Sequence, residues 1–426
     1  MCDIMDNNYF KEYFFYLAKM IYIKYCILTQ NIRKIPILSQ KNNKRILFIP
    51  SDNNKSSGAF LCLVSLCDFL INKYGLDVFV ILPIRGDGKP LLDAKNIPNC
   101  TINSFGWGVE LSRKMDGKWK KELSSKKLLN DKAIEKIREF IRNNDVDLIH
   151  INTSYSYVGA IAAQKENIPF VWHIRELLEE GQGNTMWDRQ KGNELINMSN
   201  KVITISDSVY EKYSKFIDEN KLITIYDGIE VKKFYNPQKN IFKDDVVKII
   251  FVGNIAEYKG IYDFCDACIK LHSKYTNFKV LIVGSGERQV VEDVKNRFIN
   301  AGMSNKINFL GFQENVSKFL EKSDIFCMCT RWEAFGRTTV EAMLSGNLVI
   351  GADTAGTKDL IEDFVTGRLY NQGNSDDLSE KIYWAIQNKD KSQKIANCGR
   401  KYMFENMSAE RNADEIYKLY IDILGN

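Results

Sequence analysis

The sequence predicts an α/β protein with two doubly wound, Rossmann-like domains that face each other across a cleft. Three observations favour this fold class. Short apolar segments alternate with helical segments, the alternation stops once at a polar stretch and then restarts, and several predicted strands end in glycines. Such alternation is typical of parallel sheets that are covered by helices. A chain of 426 residues is also long enough for two or three domains.

The first domain is predicted over residues 45–236. Its uncharged apolar runs suit strands that are buried on both faces. In chain order they are RILFIP, DVFVILPI, TINSF, DLIHIN, PFVWHI, VITIS and LITIYDGI. Helices are predicted between them, including one that Gly58 opens and others near 131–144 and 156–167.

A polar stretch, KKFYNPQKNIFKDD, contains Pro237 and is interpreted as a linker. The second domain is predicted over residues 246–405. Its strands are KIIFVG, KVLIVGSG, INFLGF, DIFCMCT and NLVIGAD, and helices separate them. The chain ends in helical segments, of which the last, near 408–424, is expected to complete the first domain.

The stretch TRWEAFGRTTVEAMLSGNLVIGADTAGT is the most informative part of the second domain. A tight Phe335-Gly336 turn follows the strand DIFCMCT. The next segment predicts a helix that threonine hydroxyls open and Gly346 closes. A small-residue loop is predicted at 354–357. Loops at the carboxyl ends of parallel strands line the ligand crevice, and a helix amino end can hold an anion there.

Two glutamates in this stretch are candidate functional residues. Glu333 precedes the predicted helix, whereas Arg337, Thr338 and Glu341 share one of its faces by their spacing. A carboxylate there can accept hydrogen bonds from a sugar diol. The alternative is that both glutamates are solvated charges favoured by the helix dipole.

Glycines at other strand ends indicate phosphate binding. The segment GNIAEYKG, 253–260, follows a strand and opens a helix, so Lys259 can place a point charge on a diphosphate. Gly284 and Gly286 also follow a strand. They do not form a dinucleotide fingerprint, because Gln289 stands where a third glycine belongs.

The first domain contributes two further candidates. Gly58 opens a helix that faces the same predicted crevice. His173 ends the predicted strand PFVWH and is followed by Arg175 and Glu176. A lone histidine is often structural, but its position at a carboxyl end makes His173 a candidate site residue.

Composition excludes several classes of function. The net charge of +5 is mild, and no basic run interleaved with aromatic residues indicates nucleic-acid binding. Three histidines are too few for a histidine-rich metal centre. Most of the ten cysteines lie in apolar runs, as expected for packed, reduced thiols in a cytosolic protein. No cleavable signal peptide is apparent.

Residues 1–44 differ in composition from the rest of the chain. The segment FKEYFFYLAKMIYIKYCIL is aromatic and apolar, and Lys11, Lys19 and Lys24 interrupt it. One interpretation is a helix over residues 9–28 that lies in a membrane interface. The other is an extra amphipathic helix that packs on the domain or binds a partner. A transmembrane span is not predicted, because no uninterrupted apolar run is long enough.

A second basic segment, RKMDGKWKKELSSKK, spans residues 113–127 and holds seven Lys/Arg with one tryptophan. Such a segment is interpreted either as a solvated face or as a docking surface for an anionic lipid or acceptor. The sequence alone leaves both open.

The order of these motifs resembles retaining glycosyltransferases of family 4, which have the GT-B fold, over roughly residues 45–424. The most specific part is the E-x₇-E of Glu333 and Glu341 within RWEAFGRTTVEAM. The resemblance implies that Glu341 binds the ribose of a nucleotide sugar and that Glu333 lies near the donor sugar. It also implies that Lys259 contacts the diphosphate and that His173 lies beside the reaction centre.

The resemblance therefore supplies a set of expected site residues. The candidate catalytic residues are Glu333, Lys259 and His173. The candidate donor-binding residues are Gly58, Asn254, Lys259, Gly284, Gly286, Phe312, Phe335, Gly336, Arg337, Thr338 and Glu341.

Asn254 is the largest departure from the family pattern, because similar enzymes carry an arginine there. Arg331, Arg337 or Lys358 could replace that charge. The amino-terminal double glycine is Ser57-Gly58 here, and the usual Asn-Gly before the linker is Asp227-Gly228. These departures leave two alternatives open, a catalytically impaired subunit that stabilises a partner and a nucleotide-sugar epimerase.

The resemblance implies transfer of a sugar from a nucleotide-diphosphate sugar, with UDP expected, to a saccharide or lipid-linked saccharide hydroxyl. Retention of configuration and a place in surface polysaccharide or glycolipid synthesis are expected. No cofactor or essential metal is predicted, because the Asp-x-Asp at 145–147 precedes its strand and so lies at the far end of the sheet. The expected location is cytoplasmic or on the inner face of the membrane.

Overall fold

The computed structural model describes residues 2–32, 34–113 and 116–425, with the side chains of 2–12 and 31–32 outside that description. Its strands are β1 (Arg45–Ile49), β2 (Asp77–Leu82), β3 (Asn99–Thr101), β4 (Gly108–Glu110), β5 (Leu148–Ile151), β6 (Phe170–Ile174), β7 (Asn184–Met186), β8 (Lys201–Thr204), β9 (Leu222–Thr224), β10 (Val247–Val252), β11 (Phe278–Val283), β12 (Ile307–Gly311), β13 (Ile325–Met328), β14 (Leu348–Ala352) and β15 (Arg368–Tyr370).

The helices lie between and around these strands. They are α1 (Cys2–Ile32), α2 (Gly58–Tyr74), α3 (Lys89–Ala94), α4 (Gly117–Asn143), α5 (Val158–Glu166), α6 (Leu178–Gln182), α7 (Arg189–Asn197), α8 (Asp207–Tyr213), α9 (Val231–Phe234), α10 (Ile261–His272), α11 (Arg288–Asn300), α12 (Ser317–Glu321), α13 (Arg337–Leu344), α14 (Ala355–Leu360), α15 (Ser375–Gln387), α16 (Lys389–Asn406) and α17 (Ala409–Leu424).

Two parallel sheets confirm the predicted fold class. The first has seven strands in the order β3-β2-β1-β5-β6-β8-β9, and the second has six in the order β12-β11-β10-β13-β14-β15. From β1 and from β10 the chain first fills one side of its sheet and then the other. The carboxyl ends of β1 and β5, and of β10 and β13, are therefore the switch points where ligands bind in open α/β sheets.

The strands form because their apolar side chains are buried on both faces. All five residues of β1, β6 and β14 are buried. Helix α2 begins where Ser57 accepts a hydrogen bond from the Phe60 amide, and it ends at Gly75, whose φ of 66° is left-handed. These caps are those that Ser and Gly favour.

Helix α4 is longer than the sequence predicted. A helix was expected near 131–144, but α4 begins at Gly117 and takes in most of the basic segment. Asp116 caps it by accepting a hydrogen bond from the Trp119 amide at 2.7 Å. Glu122, which is 2% exposed, supplies the carboxylate that holds this segment in place. It binds Lys19 and Lys126, each at 2.7 Å.

Helix α1 packs against α4 and the first sheet. Ile23, Cys26 and Gln30 are buried. The Gln30 side chain donates to the Asn103 carbonyl at 3.1 Å and accepts from the Asn103 amide at 2.9 Å. Among the described residues, no helix has the length and apolar character that crossing a membrane requires.

The chain crosses between the two sheets twice, and the crossings lie side by side. The Ile229 amide donates to the Met407 carbonyl, and the Ala409 amide donates to the Ile229 carbonyl, each at 3.0 Å. Helix α17 then packs on the first sheet, where Ile416 and Tyr420 join the core beneath α2. The last helix of the chain therefore completes the layer that covers one face of the first sheet.

We predict that Gly228→Ala destabilises the protein by about 1–3 kcal/mol, because an added methyl group forces packed backbone apart. A Cβ at Gly228 would lie 2.3 Å from the Ala409 Cα, whereas one at Gly117 would meet no atom within 4 Å. Gly117→Ala is therefore the matched control. Urea unfolding measures both, and equal midpoints for the two variants would contradict this account of the crossing.

Candidate active site

The carboxyl ends of the two sheets enclose a central cavity of about 530 Å³. Its first-sheet wall includes Gly58, Arg175, Glu176 and Asp227. The predicted residues on its second-sheet wall are Lys259, Glu333, Phe335, Gly336, Arg337, Thr338 and Glu341. Most of the residues that the sequence predicted for the site therefore line one cavity.

Lys259 and Glu333 form an ion pair at 2.9 Å. Burial disfavours the charged form of Lys259, but the Glu333 carboxylate outweighs this effect and raises the pKa of the Lys259 ammonium. A positive charge is thus fixed at the cavity wall at neutral pH. The Glu333 carboxylate lies directly beside it.

Backbone contact brings Lys259 to this position. Gly260 has a left-handed φ of 70°, and a Cβ there would lie 1.9 Å from the Cys329 carbonyl oxygen. The loop after β10 therefore lies against the end of β13. Only glycine at position 260 allows the two backbones to come this close. The glycine thereby positions Lys259, the residue before it, at the cavity wall.

The turn before α13 is held by other backbone groups. Gly336 precedes the helix with a φ of 97°, and no side chain caps it, so the predicted threonine cap is wrong. The Gly356 amide donates to the Glu333 carbonyl at 2.8 Å. The segment predicted as a small-residue loop at 354–357 instead begins helix α14 at Ala355, and it packs on this turn.

Arg337 connects the two walls of the cavity. Its guanidinium donates to the Cys62 Sγ at 2.8 Å and lies 3.5 Å from the Glu341 carboxylate. Its Cδ would be 3.1 Å from a Cβ on Gly58. Burial raises the pKa of the Glu341 carboxyl, and the Arg337 charge opposes this rise. Arg337 therefore provides a second fixed cation in the cavity.

Arg175 and Asp227 form a buried ion pair on the first-sheet wall. Arg175 is 6% exposed and Asp227 4% exposed. The Arg175 side chain also donates to the Asn152 side chain at 3.2 Å. Separating the two side chains would leave a buried charge without a partner, which is costly. The ion pair therefore holds both side chains in place on the first-sheet wall.

His173 does not line the cavity, because β6 continues through Ile174 rather than ending at His173 as predicted. Its ring is 0% exposed. His173 Nδ1 lies 3.1 Å from His150 Nε2 and 3.3 Å from an Arg175 guanidinium nitrogen. Burial and the Arg175 charge hold the pKa of His173 well below its usual range. A neutral His173 therefore lies behind Arg175, which is the side chain that reaches the cavity.

Gly284 and Gly286 also lie away from the central cavity. A Cβ at Gly284 would be 1.8 Å from the Gly253 carbonyl oxygen, and one at Gly286 would be 2.1 Å from that of Ile255. These glycines therefore allow the loops after β10 and β11 to touch. This contact explains the glycines without a ligand.

Asn254 and Phe312 line two adjoining cavities. Asn254 shares one of about 670 Å³ with Lys259 and Glu333, and its side chain donates to the Tyr258 hydroxyl at 3.3 Å. Phe312 shares another, of about 510 Å³, with Arg337 and Glu341. Each of the two adjoining cavities shares wall residues with the central cavity, and together the three form one cleft.

The predicted Asp-x-Asp lies at the amino end of the first sheet. Asp147 accepts hydrogen bonds from Lys41 at 2.7 Å and from the Arg45 amide at 2.6 Å. The structurally described part of the chain contains no group of three or more His, Cys, Asp or Glu arranged for a metal ion. That the protein needs no essential metal stays a prediction.

Glu176 is a cavity residue that the sequence named only as a neighbour of His173. One of its carboxylate oxygens accepts from the Ser154 amide at 3.0 Å, from the Ser154 hydroxyl at 2.8 Å and from the Arg175 amide at 3.3 Å. Burial nevertheless raises its pKa to about 7. Asp227 and Cys62 were likewise not predicted as site residues. Asp227 could have been predicted, because it is an acidic residue that follows β9. Cys62 could not, because nothing distinguishes a cysteine inside helix α2 from an ordinary core residue.

Comparison with known proteins identifies related sequences. Residues 232–402 match the family described as Glycosyl transferases group 1, and residues 65–233 match the one described as Glycosyltransferase Family 4. An uncharacterized glycosyltransferase of Methanocaldococcus jannaschii is 28% identical over 243 residues, which are 53% of this chain and 61% of that protein. The match therefore spans less than two thirds of that relative.

Two further proteins are similar at lower identity. N-acetyl-alpha-D-glucosaminyl L-malate synthase of Bacillus anthracis is 22% identical over 302 residues, which are 68% of this chain and 78% of that protein. Among solved structures, Anabaena HepE in complex with UDP aligns with a TM-score of 0.74 at 22% identity. That alignment covers 89% of this chain and 100% of HepE, and it shows a shared fold.

We predict that Glu176 makes stability fall as the pH rises. Its pKa is about 7 in the folded protein against 4.5 for an ordinary glutamate. The folded state therefore binds more protons between these values, so the free energy of unfolding decreases across this window by about 3 kcal/mol. Glu176→Gln should remove this part of the pH dependence, and urea unfolding from pH about 5 to about 8 measures it.

The exposed Glu180 provides the control for this experiment. Glu180→Gln should keep the pH dependence of the parent protein, since Glu180 is 36% exposed. If Glu176→Gln and the parent protein show parallel curves, Glu176 is ionised throughout the range and the expected shift is wrong.

Proposed function

The chain belongs to the group 1 glycosyltransferases with the GT-B fold, as its sequence motifs predicted, and on this premise we propose the reaction. The protein transfers a sugar from a nucleotide-diphosphate sugar, with UDP as the nucleotide, to a hydroxyl of a saccharide or lipid-linked saccharide. The anomeric configuration is retained. The observation that carries the proposal is that Lys259, Arg337, Glu333 and Glu341 converge on one cavity opposite Arg175.

The proposed donor lies along the cleft with its base and ribose near Phe312 and Glu341 and its sugar near Glu333. Glu341 is the carboxylate proposed to accept hydrogen bonds from the ribose hydroxyls. Phe312, which is 57% exposed in the adjoining cavity, offers an apolar surface to the base. The diphosphate then meets Lys259 and the amino end of α13, and the sugar lies beside Glu333. The UDP bound to HepE supports this choice of nucleotide.

The chemistry depends on charge at the leaving group. As the bond from the anomeric carbon to the phosphate oxygen breaks, negative charge grows on that oxygen. Lys259 and the backbone amides at the start of α13 stabilise this charge. The leaving phosphate accepts the proton of the acceptor hydroxyl, so no side chain is needed as a covalent nucleophile.

Arg337 favours an active enzyme over an impaired subunit. Similar enzymes carry an arginine at the place of Asn254, and its loss removes one charge from the diphosphate site. Arg337 lies in the same cleft, and its guanidinium is 3.5 Å from Glu341. This second cation beside Lys259 in the central cavity supports the proposal that Arg337 compensates for the missing charge.

The enzyme is further proposed to work on the inner face of a membrane, which α1 contacts. Opposite the buried side of α1, large apolar side chains follow one another at helical spacing. Their exposed fractions are 75% for Phe14, 39% for Leu17, 66% for Ile21, 51% for Tyr25 and 66% for Leu28. An apolar stripe of this kind on an outer face indicates an interaction surface.

Exposed lysines support a lipid surface as the partner of this stripe. Lys24 lies on α1 itself, and Lys120, Lys121 and Lys127 are exposed on the neighbouring α4. Apolar and aromatic side chains together with lysines suit the interface of an anionic bilayer. The sequence proposed this contact for residues 9–28, of which the side chains of 9–12 lie outside the described part.

The donor site is tested by thermal shift with a panel of nucleotide sugars. A ligand at 100 times its Kd should raise the free energy of unfolding by about 2.7 kcal/mol. We expect stabilisation by UDP and a UDP-sugar. Glu341→Ala should weaken binding at least tenfold because the ribose loses its acceptor, whereas Glu405→Ala on exposed α16 should bind normally. Equal donor affinity in both variants would refute the assignment of Glu341.

Membrane contact is tested by sedimentation with vesicles. Ile21→Gln/Leu28→Gln should lose most binding to vesicles that contain anionic phosphatidylglycerol, because two exposed apolar anchors are removed. Ile299→Gln/Val365→Gln is the matched control, since these side chains are 55% and 44% exposed on the other half. Vesicle binding that both pairs of substitutions leave intact, or that both weaken equally, would overturn the proposal.

A further inference from the structure

A second cavity, of about 530 Å³, lies on the first half of the molecule, outside the cleft. Among the residues that the structure describes, four basic side chains and no acidic one line it; they are Lys34, Arg85, Lys89 and Lys136. Such a wall suits a ligand with more than one negative charge.

Four separate elements build this basic cavity. Lys34 follows α1, Arg85 follows β2, Lys89 begins α3 and Lys136 lies on α4. Gln30, buried near the carboxyl end of α1, is also part of the wall. Helix α1 therefore contributes to the cavity as well as to the proposed lipid-facing surface.

Half of the positive charge is not balanced by nearby acids. Lys89 binds Asp93 at 2.6 Å, and Lys136 binds Glu139 at 3.0 Å. Within residues 2–32, 34–113 and 116–425, neither Arg85 nor Lys34 has an ion-pair partner. An anion would meet two uncompensated cations there.

Asn53 shows that the basic cavity also offers a neutral contact. Asn53 is 5% exposed, and its side-chain nitrogen donates to the Ile84 carbonyl at 3.0 Å. In the described part of the chain, its buried Oδ1 has no hydrogen-bond partner. A buried acceptor without a partner is costly, so a ligand hydroxyl that donates to Oδ1 would be favoured.

The same loop separates the basic cavity from the cleft. Ser51 and Asp52 line the central cavity, whereas the next residue, Asn53, lines the basic one. The Asn53 carbonyl accepts from the Gly88 amide at 3.3 Å, which fixes the loop. A ligand that crosses this loop would reach from one cavity to the other.

We propose that the basic cavity binds the diphosphate of a lipid-linked acceptor. The lipid tail would leave at the carboxyl end of α1, where Gln30 and Lys34 line the cavity, and the saccharide would pass Asn53 toward the central cavity. This inference rests on the proposed function for the identity of the ligand as an acceptor. The binding of the diphosphate itself is measured independently of catalysis.

The test uses geranyl diphosphate, a soluble prenyl diphosphate, and inorganic pyrophosphate as probes. Binding is measured by calorimetry in the presence of saturating UDP, which occupies the donor site and keeps both probes out of it. We expect geranyl diphosphate to bind, and Arg85→Gln/Lys34→Gln to weaken this binding at least tenfold. The control is Lys391→Gln/Lys394→Gln on α16, which removes the same charge from exposed positions and should bind normally.

Each outcome separates this proposal from the donor site. Unchanged UDP affinity in Arg85→Gln/Lys34→Gln, together with lost geranyl diphosphate binding, supports the basic cavity. Equal binding of pyrophosphate and geranyl diphosphate would overturn the lipid-linked source and leave a site for free phosphates. If Arg85→Gln/Lys34→Gln and Lys391→Gln/Lys394→Gln lose geranyl diphosphate binding equally, the proposed site is wrong. It is also wrong if the parent protein does not bind geranyl diphosphate. Failure of UDP alone to bind would instead contradict the proposed function.

Discussion

The parallel pairing of β1 with β5 and of β10 with β13 constrains most of what this molecule can do. Parallel neighbours place all their carboxyl ends at one edge, so the loops of each sheet gather on one side. Because the two sheets direct these edges at each other, residues as distant in sequence as Gly58 and Arg337 become neighbours. The cleft is thus a consequence of sheet topology, and the side chains determine its chemistry.

The cations along that cleft differ in how strongly a neighbouring carboxylate neutralises them. Arg175 is neutralised by a buried carboxylate, and Lys259 by Glu333. Arg337 has a weaker partner in Glu341, at 3.5 Å. A donor diphosphate would therefore compete with Glu333 for Lys259 and would meet less competition at Arg337. The ion pairs hold both cations in place before any ligand binds, which lowers the cost of ordering them.

Local pattern was enough to predict the two halves and most of their parallel strands, and most of the predicted site residues line the central cavity, because buried parallel strands and strand-end glycines leave strong signals. Long-range geometry was not predictable in the same way. His173 was assigned to the site because the end of β6 was placed one residue early, and Gly284 and Gly286 because a close approach of two loops resembles phosphate binding. The Cys62–Arg337 contact has no local signal, since it joins a helix interior to a turn on the other half. The start of α4 was missed because lysines with no apolar period conceal a helix. Glu122 stabilises it through an ion pair with Lys19 of α1 and one with Lys126 of α4 itself.

The crossing beside Gly228 also determines how this chain can be divided. Cutting after the polar linker would separate α17 from the first sheet, although Ala413, Ile416, Leu419 and Tyr420 belong to the core under α2. A fragment that contains only the first half would expose that apolar layer to water. Its intact fold would need α17 to be reattached, for example in a circularly permuted chain that begins with the last helix. In this protein the unit of folding is therefore not a continuous length of sequence.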